Sequence, residues 1–89
     1  MVSYAKDIRP LFNAHDLACM KRKGVKLDSY DWMADPEGGE GYDDHAHGRL
    51  VFDFVRPDGA EPRMPMGGPY WDDDQVALYQ RWMEEGFGA

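Results

Sequence analysis

The chain has 89 residues, with 17 Asp and Glu against 10 Lys and Arg, a net charge of −7. That length makes one small domain with a modest core, and that charge argues against phosphate-backbone binding, which needs clustered Lys and Arg. A single cysteine excludes an internal disulfide; no run approaches the ~20 apolar residues of a membrane span, and Met1-Val-Ser-Tyr-Ala-Lys-Asp7 lacks the apolar stretch of a signal peptide, so the expected compartment is the cytoplasm.

Ser3 is a plausible N-cap. Tyr4, Ile8, Leu11 and Phe12 then fall at helical spacing, which predicts a helix from Ser3 to Asn13. Pro10 lies inside it and removes a backbone donor, so the helix kinks or ends its first part there. The segment from His15 to Lys23 reads as a turn entering a short helix that Gly24 ends. Asp28 or Ser29 can cap a short helix from Tyr30 to Met33. Asp35-Pro-Glu-Gly-Gly-Glu-Gly41 is a loop by composition, without the alternating ligands of a calcium-binding loop.

Over Tyr42 to Val55, Asp43 or Asp44 is the expected N-cap, and His47, Leu50, Val51 and Phe54 recur at helical spacing. Leu50 to Val55 could also be a strand by its β-branched and aromatic content, but the capping signal favours helix. Arg56-Pro-Asp-Gly59 is a turn. Ala60 to Trp71 is a Pro/Gly-rich extended loop. Asp72 to Glu85 is the clearest helix. Its three leading aspartates suit the positive dipole end, Asp72 and Gln75 complete a capping box, and Val76, Leu78, Tyr79, Trp82 and Met83 form the buried stripe. Gly86 closes it.

The chemistry-bearing stretch is Asp16-Leu-Ala-Cys19-Met20. It has the spacing of a haem-attachment motif, Cys-x-x-Cys-His, with Asp16 in place of the first cysteine and Met20 in place of the histidine. It follows Asp7-Ile-Arg-Pro-Leu-Phe12. Downstream stand a Met-Pro loop, Arg63-Met-Pro-Met-Gly-Gly-Pro69, and the closing helix with Arg81-Trp-Met-Glu-Glu-Gly86. In that order these segments resemble a class I cytochrome c domain with a degenerate attachment motif. The resemblance implies an all-α fold: a small bundle of three to five helices, crossed N- and C-terminal helices and long loops. It places Met64 where the family has its axial methionine. It does not carry the family's attachment residues, since Asp16 cannot form a thioether and Met20 is no imidazole. The expected core is therefore haem-free, filled by aromatics and by methionines, which adapt to irregular gaps. Non-covalent haem between Met20 and Met64 is the alternative.

Other ligand sets are weaker. His15 and Cys19 stand at i, i+4, on one helical face; with His45 and His47 they are the residues a copper or zinc site would use. On a helix His45 and His47 do not face each other, so the plainer reading is packing and solvent-facing side chains. Cys19 with His15 as base lacks a recognisable oxyanion loop, so no enzymatic activity is expected. The Met64, Met66, Tyr70 and Trp71 loop carries residue types frequent at interface hot spots, with the alternative, equally expected for one of Tyr70 and Trp71, that the ring folds inward as core. Lys21, Arg22 and Lys23 form the one basic cluster, a second surface for an acidic partner or simply a solvated loop. The functional expectation is an accessory module that docks on a partner protein of the redox-enzyme class, binding neither nucleic acid nor membrane. The alternative is a small electron-transfer or metal-handling protein using copper or non-covalent haem.

Overall fold

The computed structural model describes residues 1–39, 41–57, 59, 64 and 70–89. Ser3 caps the first helical turn, its hydroxyl accepting from the Lys6 N–H and its amide donating to Asp7 Oδ2 at 2.8 Å. In place of the expected regular helix the chain makes two irregular turns. Tyr4–Ile8 is a π-helical turn, with the Ile8 N–H reaching back to Ser3 O, and Arg9–Leu11 tightens to a 3₁₀ turn. Pro10 explains the change: it brings no N–H for the next α-type bond, so the pitch loosens before it and tightens around it.

Beyond these turns lie four α-helices: α1 (Ala14–Lys21), α2 (Tyr30–Met33), α3 (Ala46–Val55) and α4 (Asp73–Glu84). Among the described residues there is no strand, only an isolated bridge between Gly39 and Tyr42. The fold is all-α. The chain leaves α1 through Gly24 at φ +80°, where Gly24 N–H donates to Lys21 O and Val25 N–H to Met20 O. That bond pair is a Schellman closure, which needs the left-handed residue that glycine supplies. Ser29 caps α2 through the Trp32 N–H.

The start of α3 corrects the sequence reading. Neither Asp43 nor Asp44 caps it; His45 sits at the cap in the left-handed region and Ala46 begins the helix. Asp44 is engaged elsewhere, accepting from His45 and Arg49. The buried seam is Ala46, Gly48, Val51 and Val55, while His47, Leu50 and Phe54 are only partly covered. For α4 the capping box forms as expected, with Gln75 N–H to Asp72 Oδ1 at 2.8 Å and Asp72 N–H to Gln75 Oε1 at 2.9 Å.

The core joins both ends of the chain. Ile8, Leu27, Met33, Val51, Val55, Tyr79 and Trp82 are sealed from solvent, each contributing about 1.5–3 kcal/mol relative to exposure. Tyr4 packs on Trp82 with ring centroids 6.0 Å apart. The last residues close over the first: Tyr4 N–H donates to Gly88 O at 3.0 Å and Ala5 N–H to Ala89 O at 3.2 Å. Trp82 Nε1–H also donates to Gly88 O, and Tyr30 OH to Phe87 O, both at 2.8 Å. No helix among the described residues is long and apolar enough to cross a membrane.

Candidate functional site

The degenerate motif lies on α1, and its three marked residues point to three different environments. Asp16 is 4 % exposed. It occupies the third position of the helix, where its carboxylate accepts the Asn13 N–H at 3.2 Å while the Asn13 side chain accepts the Asp16 N–H at 2.8 Å. This is a reciprocal capping box, which satisfies donors that a helix start otherwise leaves open. The sequence signal for it is the Asn13-x-x-Asp16 spacing, which the motif reading passed over.

Met20 turns inward and is 2 % exposed, packed in the central apolar cluster. Cys19 lies partly exposed on α1, its Sγ 3.5 Å from His15 Nε2. The i, i+4 expectation for this pair is thus met in space. Met64 also joins the core, 2 % exposed, with its backbone N–H donating to Phe54 O at 2.7 Å. The position that would be axial is therefore pinned to the end of α3. These residues do not fit the covalently held haem that the family resemblance implies: a capping carboxylate stands at the first thioether position and a thioether side chain at the histidine position.

His45 and His47 diverge, as a helical start requires. The His45 ring stacks on Phe87, and its Nδ1 lies 2.8 Å from Asp44 Oδ1. The His47 ring stacks on Trp32 at 4.0 Å between centroids, with Nδ1 2.8 Å from Trp32 O. Both imidazoles serve packing and local hydrogen bonds. The His45 contact and the Arg49 guanidinium together hold the Asp44 carboxyl below its ordinary value. Among the described residues, no three of His, Cys, Asp and Glu gather in a way that could hold a metal ion.

The proposed contact loop divides. Trp71 is a core residue, 6 % exposed, its ring packed at a tilt against Phe12 and Tyr79. Met64 and Trp71 are thereby removed from the surface set, because a Pro/Gly-rich segment has no periodicity to say which of its side chains turn in. Tyr70 stays out, 49 % exposed. Met66 lies outside the described residues. Lys21, Arg22 and Lys23 are all exposed, and Lys26 joins them just beyond the Schellman turn. Among the described residues none of these four forms an ion pair. No protein-family model, curated protein or solved structure matches the chain.

Proposed function

We propose that the chain is a haem-free, cytochrome c-like module that docks on a partner protein, a redox enzyme being the class that the family resemblance implies. The observation that carries the reading is the work done at the two haem-specific positions. Asp16 closes the cap of α1, and Met20 fills the core beside the other buried apolar side chains. Residues so employed hold the frame rather than a cofactor. What such a frame offers a partner is its surface: Tyr70, and the exposed Lys21, Arg22, Lys23 and Lys26 group. Those four cations stand on a chain of net charge −7, so they favour a localised acidic patch on a protein over an extended polyanion, which the remaining carboxylates would repel.

The test is an absorption spectrum with metal analysis of the protein isolated from its native host. Aromatic absorption alone, with no metal, is the expected result. A Soret band or stoichiometric copper would overturn it in favour of an electron carrier using Met20, Met64, Cys19 and the histidines. Docking is tested by cross-linking in the same host: reversing Lys21, Arg22 and Lys23 to Glu should abolish the adduct that the native chain forms, and an adduct that persists would remove the basic group from the interface.

A further inference from the structure

Five Tyr and Trp rings form one continuous file through the molecule. Tyr30 lies 5.5 Å from Tyr4, Tyr4 6.0 Å from Trp82, Trp82 5.3 Å from Tyr79, and Tyr79 5.9 Å from Trp71, centroid to centroid. The phenylalanines flank this file and do not interrupt it: Phe87 abuts Trp82, Phe52 abuts Tyr79 and Phe12 abuts Trp71. Tyr and Trp are the side-chain rings that most readily give up one electron, and short ring-to-ring gaps are what stepwise electron transfer needs.

Access to water along the file is graded. Trp82 and Tyr79 are sealed from water. Their polar atoms end on backbone carbonyls, Trp82 Nε1–H on Gly88 O and Tyr79 OH on Gly48 O, and Tyr4 OH ends likewise on Leu27 O. A carbonyl accepts a hydrogen bond but is too weak a base to keep the proton. An oxidised ring in this interior cannot shed its proton, so the oxidising equivalent does not settle there. Tyr30 OH also ends on a carbonyl, Phe87 O at 2.8 Å, but Tyr30 is the one ring of the five that is not buried, so its phenol is the one nearest to water as a proton acceptor. At the other end Trp71 adjoins Tyr70, which is about half exposed.

We propose that Trp71, Tyr79, Trp82, Tyr4 and Tyr30 are a one-electron relay between the Tyr70–Trp71 face and Tyr30. The oxidant is a high-potential one-electron centre, a high-valent metal or an organic radical; placing it on the docked protein rests on the function proposed above, whereas the relay belongs to this chain alone. The oxidant takes one electron from Trp71. One electron then moves at each step from the next ring to the oxidised one, with no bond made. Tyr30 ends as a neutral tyrosyl radical, and its proton goes to water. A thiol reductant restores Tyr30 by giving it a hydrogen atom, and the thiyl radicals pair as a disulfide.

The experiment needs no partner. In the full chain carrying Cys19→Ser and Tyr70→Cys, a ruthenium polypyridyl group is attached at position 70 and oxidised by a laser flash with hexaammineruthenium(III) as acceptor. Transient absorption and electron paramagnetic resonance should show a tryptophan radical cation that decays into a tyrosyl radical. Tyr30→Phe should lose the tyrosyl signal, and Tyr79→Phe should lose most of it, each with the parent's circular dichroism. Tyr4→Phe replaces Tyr79→Phe if that variant does not fold. A parent without a tyrosyl signal, or a folded variant that keeps the parent's signal, would overturn the relay while leaving the docking proposal standing.

Discussion

His45 and Phe87 stack face to face, ring centroids 4.1 Å and planes 2° apart, and they are the two non-glycine residues of the described chain with positive φ, 47° and 57°. A left-handed backbone costs an L-residue about 1–2 kcal/mol, so each half of this pair sits in a conformation that the other helps to hold. The Phe87 ring also meets Trp82 edge-on at 4.9 Å between centroids, and the Arg49 guanidinium carbon lies 5.6 Å from its centroid. Asp44 ties the cation and the imidazole together from outside. Start of α3 and end of the chain are thus one structural unit.

Phe87→Ala removes both ring contacts and leaves a cavity over Trp82, so it should destabilise by about 3–5 kcal/mol. Gly48→Ala attacks the same unit from beneath: a Cβ there would lie 2.7 Å from Phe87 Cε2 and 2.8 Å from Met33 O. Because the second neighbour is backbone, relief requires displacement, and about 1–3 kcal/mol should be lost. Urea unfolding of both variants checks this; a Gly48→Ala protein as stable as the parent would refute the close approach.

The α4 stripe is not uniform, and its two leading residues should behave differently. Trp82 is sealed from solvent and touches Tyr4, Tyr79 and Phe87, so Trp82→Ala should cost about 3–5 kcal/mol. Leu78 is only partly buried at the edge of the core, so Leu78→Ala should fall below the ~2 kcal/mol floor typical of a fully buried leucine. Equal losses would mean that the two share one environment.

These contrasts mark what the sequence could and could not reveal. The α4 capping box and the buried pair of its stripe were legible because both depend on residues within one or two turns of each other, Asp72 with Gln75 and Tyr79 with Trp82, whereas Val76, Leu78 and Met83 of the expected stripe are only partly buried. The start of α3 was misread because Asp43 and Asp44 are both good N-caps at a fitting distance, and only tertiary contact shows Asp44 spent on His45 and Arg49. The inward turn of Met64 and Trp71 left no local trace: one is tethered to Phe54 and the other packs at a tilt on Phe12 and Tyr79, partners that lie elsewhere in the chain.

Acid should loosen the closure of the two termini. Glu85 Oε1 accepts the Val2 N–H at 2.6 Å and Oε2 accepts from Arg81 Nε at 2.9 Å. The Val2 bond first, and Arg81 next, hold the Glu85 carboxyl below its ordinary value of 4.5. A depressed carboxyl contributes stability that is fully present above its unfolded value and is lost as pH falls through the folded one. Thermal unfolding followed downward from neutral pH should therefore show a decline setting in near the ordinary carboxylate range, and Glu85→Gln, which keeps an acceptor for Val2, should shrink it. An unchanged profile in that variant would assign the acid sensitivity to other carboxyls.

Alkali should act at Tyr42. Its hydroxyl donates to Asp53 Oδ2, whose other oxygen accepts from Arg56 Nε at 2.8 Å. Burial first, and the Asp53 carboxylate next, push the phenol up from 10.0 to about 12. A raised value means stability fully present below the unfolded value and lost as pH rises through the folded one. Ultraviolet titration of tyrosinate should resolve a step near the raised value that is missing in Tyr42→Phe, and that variant should lose less stability across the same interval. A Tyr42 step at the ordinary value would show that Asp53 does not hold the proton.

Asp16 and Cys19, two marked positions of one degenerate motif, should separate cleanly on substitution. If Asp16 has become a structural carboxylate, Asp16→Ala should cost about 0.5–2 kcal/mol, the range for loss of a helix cap. Its burial and its bond to the Asn13 amide place it toward the upper part of that range, because the amide loses its partner where water is scarce. Among the described residues, the hydrogen-bonding partner of the Cys19 side chain is His15, at 3.5 Å on a partly exposed face. Cys19→Ser should therefore stay within about 0.5 kcal/mol of the parent, as surface substitutions away from special features do. Denaturant unfolding of the two variants beside the parent decides it. A large loss for Cys19→Ser, accompanied by loss of bound metal or a chromophore, would return the motif to ligand chemistry; a neutral Asp16→Ala would leave the buried carboxylate without the capping role on which the haem-free reading rests.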